Sequence, residues 1–177
     1  MTNRTPDPAT VALASYLESQ AALAGSARTA PAQAMPWALA RYVAGAAPEP
    51  GLVDTMRTDL GLYRLYRELL ANRSQAISPR QAAAASDAPS AERSGQGFRL
   101  EFRSSRATPG QVYATVVLEG VEAGERALQV HVLGQEALLR LDFPAPVDGR
   151  SQRLFPADSP ELALLRRTDS ELVLVTL

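Results

Sequence analysis

The amino-acid sequence predicts an α+β protein with a small N-terminal helical bundle linked to a C-terminal antiparallel β-sandwich or barrel. Three observations support this fold class. Apolar residues recur at helical spacing in residues 1–75 and with a period of two in residues 98–177. Between them, residues 76–97 are almost all Ala, Ser, Gln, Pro and Gly, a composition that favours a flexible linker.

The helical domain, residues 1–75, should contain three or four short helices. Proline near the start of an apolar pattern and glycine at its end mark their bounds. The expected ranges are residues 8–25, 36–45, 52–58 and 59–73, with a loop over 26–35 and a break at 48–51. In the last helix one face carries Leu62, Leu65, Tyr66 and Leu69, and Asp59 is expected to be its N-cap.

The β domain, residues 98–177, should contain five or six strands and one short helix. Phe98, Leu100 and Phe102 alternate with charged residues, and residues 112–118 are apolar enough for a central strand. In residues 128–133 the alternation places Gln129 and His131 outward. Further strands are expected at 139–143, 151–155 and 171–176, with a hairpin turn at 134–135, a turn at 148–149 and a helix beginning at 159–161.

Composition excludes several classes of function. The chain has no Cys and no Lys, and its one His, His131, lies on a strand with no carboxylate nearby, which indicates a structural residue rather than a catalytic one. We therefore predict no catalytic residues, no metal site and no cofactor; a hydrolase that relies on Ser or Asp alone is the least favoured reading. A net charge of −1 predicts no nucleic-acid partner. The sequence shows neither a membrane span nor a secretory signal, so a cytoplasmic location is expected.

The candidate binding residues are aromatic residues and arginines, the types that dominate protein interfaces. Each has a structural alternative, since the aromatics could belong to the core and the arginines to a solvated face. In the helical domain they are Trp37, Arg41, Tyr42, Tyr63, Arg64 and Arg67. In the β domain they are Arg150 and Arg153, which lie in the proline-containing segment between Phe143 and Phe155.

The run ALARYVAGAAPEPGLVDTMRTDLGLYRLYRELLANRS, residues 38–74, resembles the cytoplasmic helical domain of bacterial anti-sigma factors. Zinc-binding members of that family have a His and two Cys that this chain lacks, so the resemblance is to a zinc-free version, without a following transmembrane helix. The matching positions are Leu39, Arg41, Tyr42, Gly45, Val53, Met56, Asp59, Leu62, Tyr66, Arg67 and Leu69. The resemblance implies that the helical domain covers a sigma factor.

Two functions follow from these expectations. The first is a non-catalytic cytoplasmic regulatory protein that binds and occludes a protein partner, with a sigma factor as the candidate, through its helical domain. The alternative is an adaptor or structural subunit of a multi-protein bacterial system, for example one that contains a protease, which docks through its β domain.

Overall fold

The computed structural model describes residues 31–80, 91–120, 126–134 and 137–177. Within these ranges the chain forms four helices and eight strands, and it divides into two compact units, Met1–Arg73 and Ser74–Leu177. The helices are α1 (Pro31–Val43), α2 (Leu52–Thr58), α3 (Leu60–Arg73) and α4 (Pro160–Arg166). The strands are β1 (Ser74–Ser78), β2 (Glu92–Gly95), β3 (Phe98–Ser104), β4 (Gln111–Leu118), β5 (Leu128–Leu133), β6 (Leu138–Phe143), β7 (Arg150–Pro156) and β8 (Glu171–Thr176).

In the first unit, α3 forms as its sequence predicts. Asp59 caps the helix, since its Oδ1 accepts the backbone N–H groups of Gly61 at 2.8 Å and Leu62 at 3.0 Å. The four residues predicted to face inward are all buried, together with Leu70. The short helix predicted at 52–58 is α2, and it packs its buried Leu52 and Met56 inward.

The start of α1 differs from the prediction. Residues 26–35 were expected to form a loop and Pro36 to begin the helix, but the helix begins at Pro31 and contains Pro36 in its interior. The segment between these prolines, AQAM, consists of strong helix formers, which favour an earlier start. The helix predicted at 8–25 lies outside the described residues.

The second unit consists of two four-stranded antiparallel sheets and α4. One sheet has the order β1-β8-β5-β6 and the other the order β2-β3-β4-β7. The inward faces of both sheets contribute to a single hydrophobic core, which also includes Leu162 and Leu165 of α4. Strand β3 shows the predicted alternation, with Phe98, Leu100 and Phe102 buried. Burial of these alternate residues sets the register of each strand.

The edges of the two sheets are joined on both sides. On one side the backbone N–H of Gln96 donates to the carbonyl of Ile77 at 2.8 Å, and the Ser78 hydroxyl donates to the carbonyl of Ser94 at 2.9 Å. On the other side the Ser151 hydroxyl donates to the carbonyl of Pro144 at 2.6 Å. These bonds satisfy edge groups that would otherwise be open to other chains.

The predicted architecture, a helical bundle joined through a flexible linker to a β-sandwich or barrel, is wrong. The chain is α+β, but its described helices are short, and two of the eight strands, β1 and β2, include residues at both ends of the expected linker, 76–97. Neither strand has the alternating apolar pattern that marks a strand, because β2 has no apolar side chain and the apolar Ala76 and Ile77 of β1 are adjacent. Both strands nevertheless pair through their backbones. Residues 81–90, the middle of that range, lie outside the described residues.

Two local predictions in the second unit are confirmed. Asp148 and Gly149 both have positive φ, 50° and 72°, as a two-residue type I′ turn requires. Helix α4 begins as expected, because the Ser159 hydroxyl accepts the backbone N–H of Leu162 at 3.2 Å and Pro160 occupies the first turn.

Strand β2 is held in place by a buried arginine, Arg93, which is 4% exposed. Its guanidinium donates to the carbonyl of Leu165 at 3.0 Å and to the hydroxyl and carbonyl of Ser170 at 3.0 and 2.7 Å. Burial lowers the pKa of Arg93 to about 10, although the nearby Asp169 carboxylate opposes this shift. The group therefore stays charged at neutral pH and needs all three acceptors.

We expect Arg93→Lys to lower the free energy of unfolding by about 1–3 kcal/mol, because an ammonium cannot reproduce the planar fork of a guanidinium. Urea denaturation followed by circular dichroism measures this change, and amide exchange of Glu92–Gly95 should accelerate. Arg103→Lys is the matched control, since the Arg103 side chain is 75% exposed and its loss should cost within about 0.5 kcal/mol. Equal stability of the two variants would contradict a role for Arg93 in anchoring β2.

Candidate partner-binding surface

Helix α1 buries one face and exposes an aromatic residue and a cation on the other. Leu39, Tyr42 and Val43 are 5% exposed or less, whereas Trp37 is 55% exposed. Arg41 lies one turn after Trp37 on the same face, and its side chain is 71% exposed. We call this pair, Trp37 and Arg41, the α1 surface.

The chain reverses direction at the end of α1. The N–H of Gly45 donates to the carbonyl of Tyr42 at 3.1 Å, and the N–H of Ala46 donates to the carbonyl of Arg41 at 2.9 Å. Gly45 has a φ of 101°, the left-handed conformation that this helix-ending motif requires. The returning segment brings Glu49 back to α1, where its Oε1 lies 3.4 Å from Nη1 of Arg41.

Tyr42, a predicted partner-binding residue, belongs to the core of the first unit. It is 5% exposed, and its ring centroid lies 6.2 Å from that of Tyr66 on α3. The tilted arrangement of the rings is one that aromatic pairs favour. A partner cannot reach this side chain without unfolding the helix pair.

The other candidates of the first unit lie on α3. Arg64 and Arg67 are exposed and Tyr63 is half-buried. Leu60, in the first turn of the same helix, is 61% exposed and was not among the predicted binding residues. The helical period is the signal that could have identified it, because it places Leu60 on the face opposite the inward stripe that begins at Leu62.

The two arginines proposed in the second unit have different surroundings. Arg150 is exposed next to the Asp148–Gly149 turn, and Val147, on the other side of that turn, is 73% exposed. Arg153 instead joins the two sheets: its Nη1 donates to the carbonyl of Asp142 at 3.0 Å, and its guanidinium lies 4.8 Å from the ring centroid of Phe155. The guanidinium of Arg153 is therefore used in contacts within the second unit.

His131 was predicted to face outward, and that prediction is wrong, because both faces of β5 are buried and His131 is 0% exposed. Its Nε2 lies 3.3 Å from Oε1 of Gln129, whose Nε2 donates to Oδ1 of Asp142 at 2.9 Å. Burial is the larger cause and the positive charge of Arg140 the smaller one, and together they lower the pKa of His131 from 6.5 to about 3. The ring is neutral at physiological pH and has no access to solvent.

The described residues contain no group of three or more His, Asp or Glu side chains placed to hold a metal ion. Among the described helices, none is both long and apolar enough to cross a membrane.

Comparison of the chain with protein-family models, with curated proteins and with solved structures found no match.

The buried His131 predicts how stability depends on pH. The unfolded chain takes up a proton at this residue near pH 6.5, whereas the folded chain does so only near pH 3, so the unfolded state binds more protons between these values. The free energy of unfolding should therefore fall as pH decreases below 6.5, by about 1.4 kcal/mol per pH unit and about 2 kcal/mol by pH 5.

Urea denaturation at pH 7 and pH 5 measures this loss, and His131→Gln should remove most of the difference. Asp169 does not obscure the result, because a hydrogen bond from Arg167 holds the pKa of its carboxyl below 3.8. The same pH dependence in both proteins would show that His131 is not the titrating group.

Proposed function

We propose that this chain is a non-catalytic regulatory protein that binds a protein partner through the α1 surface and occludes it. The observation that carries the proposal is the exposure of Trp37, at 55%, on a helix whose Leu39, Tyr42 and Val43 are buried. Tryptophan is enriched at interface hot spots, together with arginine.

Covering Trp37 would supply one large share of the binding free energy. A buried aromatic side chain removes about 150–250 Å² from water, so covering the exposed half of Trp37 would remove about 100 Å². At about 25 cal/mol per Å², this contributes about 2–3 kcal/mol to association. Such a contribution is typical of a hot-spot residue, and it is not available from the buried Tyr42.

Occlusion of the partner is favoured over catalysis because His131 is buried. The one histidine of the chain is neutral and 0% exposed, so it can neither take a proton from a bound substrate nor reach one. The proposal therefore requires only that the α1 surface covers a site on the partner.

The resemblance of residues 38–74 to the helical domain of anti-sigma factors makes a sigma factor encoded beside this gene the first partner to test. The proposal then places the protein in the cytoplasm, where a sigma factor acts. The exposed Val147, at 73%, favours the second candidate function, an adaptor that docks through the second unit.

One labelled residue tests the proposal, because Trp37 is the only tryptophan in the chain. Full-length protein grown with 5-fluorotryptophan should give one fluorine resonance, and titration with the sigma factor should shift that resonance as Trp37 leaves water. The Trp37→Ala variant carries no label, so calorimetric titration measures its affinity, which should be at least about tenfold weaker, a difference of about 1.4 kcal/mol.

Val147→Ala is the matched control, since it also removes exposed apolar atoms but from the second unit. If Trp37→Ala leaves the affinity unchanged and Val147→Ala weakens it, the partner docks through the second unit and the adaptor function replaces the one proposed. Absence of binding to the sigma factor at micromolar concentrations would overturn the proposed function.

A further inference from the structure

Arg41 of the α1 surface is already in contact with a carboxylate from its own chain. The Arg41 Nη1 to Glu49 Oε1 distance is 3.4 Å, longer than the 2.7–2.9 Å typical of a strong charge-assisted hydrogen bond. Both side chains remain open to water, at 71% and 48% exposure. Such an exposed pair contributes little to stability, so it can exchange its partner at low cost.

The backbone nevertheless holds Glu49 close to Arg41. The turn at Gly45 reverses the chain, and Pro48 and Pro50 on either side of Glu49 restrict its backbone. The carbonyl of Glu49 also accepts the N–H of Leu52 at 3.0 Å in the first turn of α2. Glu49 is therefore presented to Arg41 by a preorganised segment, which raises its effective concentration there.

We propose that Glu49 is an internal competitor for Arg41 and occupies the position that a carboxylate of the partner takes on binding. This inference rests on the proposed function, since the partner's carboxylate would lie next to the group that covers Trp37. The partner surface is thereby specified: an Asp or Glu side chain beside an apolar one. A guanidinium donates two parallel N–H···O bonds to one carboxylate, an arrangement that the single long contact to Glu49 does not provide.

Charge favours a protein carboxylate over a nucleic-acid phosphate. The chain has a net charge of −1, and another cation of the helical unit, Arg57, is paired with Asp54 at 3.3 Å. Binding to nucleic acid relies on several cations that together neutralise several phosphates. One exchangeable arginine beside a tryptophan fits a single carboxylate at the edge of an apolar contact.

Removing the competitor should strengthen binding. Glu49→Gln keeps the size of the side chain and the backbone bond to Leu52 but removes the charge, so the affinity for the sigma factor should rise about two- to fivefold. Arg41→Gln should lower the affinity by a similar factor. In the double variant the effect of Glu49→Gln should disappear, because the two residues act through one contact.

Asp54→Asn is the matched control, since it breaks a second exposed ion pair of the helical unit, the one to Arg57, and should leave the affinity unchanged. The fluorine titration of full-length protein at low and high salt measures all four variants. The gain from Glu49→Gln should shrink at high salt.

The outcomes separate this inference from the proposed function. If the sigma factor covers Trp37 but Glu49→Gln leaves the affinity unchanged or lowers it, Glu49 is not a competitor, although the α1 surface still binds. If no variant, Glu49→Gln included, binds the sigma factor, both proposals are overturned. If Glu49→Gln instead acquires affinity for a DNA duplex used as a second probe, the ligand is a phosphate and the carboxylate assignment is wrong.

Discussion

The packing of Tyr42 on Tyr66 determines which face of α1 is available to a partner. Because this contact joins α1 to α3, residues at helical spacing from Tyr42 turn inward, and Trp37 and Arg41 are left outside. The turn that ends α1 and the return of Glu49 to Arg41 then follow from the position of that helix. The candidate surface is therefore a consequence of core packing as much as of its own residues.

Strands and helices with a strong apolar period were predictable from the sequence, and those without one were not. The alternation in β3 and the inward stripe of α3 identify both elements, because burial of those side chains stabilises them. Strand β2 has no such pattern, because its buried side chain is the charged Arg93. Gly95 of the same strand lies against the ring of Phe98, and a Cβ added at this position would clash with that ring. Its sequence is typical of a linker although its backbone pairs with β3.

The candidate site was predictable in residue type but only partly in position. Trp37 and Arg41 are exposed, as the predicted binding residues should be. The sequence pattern cannot show that Trp37 is exposed and Tyr42 buried, because the buried face of a helix is more than 100° wide and residues at its boundary can lie on either side. His131 was assigned outward because alternation implies one solvated face. That assumption fails for β5, where Gln129 on the same side is also 0% exposed.

Two kinds of polar group among the described residues differ in their capacity for function. Arg93 and Gln129 are buried and bonded to fixed acceptors, and removing a partner from such a group leaves an unpaired buried polar atom. They therefore cannot exchange partners during binding. Arg41 and Glu49 are exposed, joined by one long contact, and lose little when separated, because water replaces the bond. The proposed regulatory function requires a surface of this second kind next to an apolar anchor, and Trp37 is the anchor proposed for it.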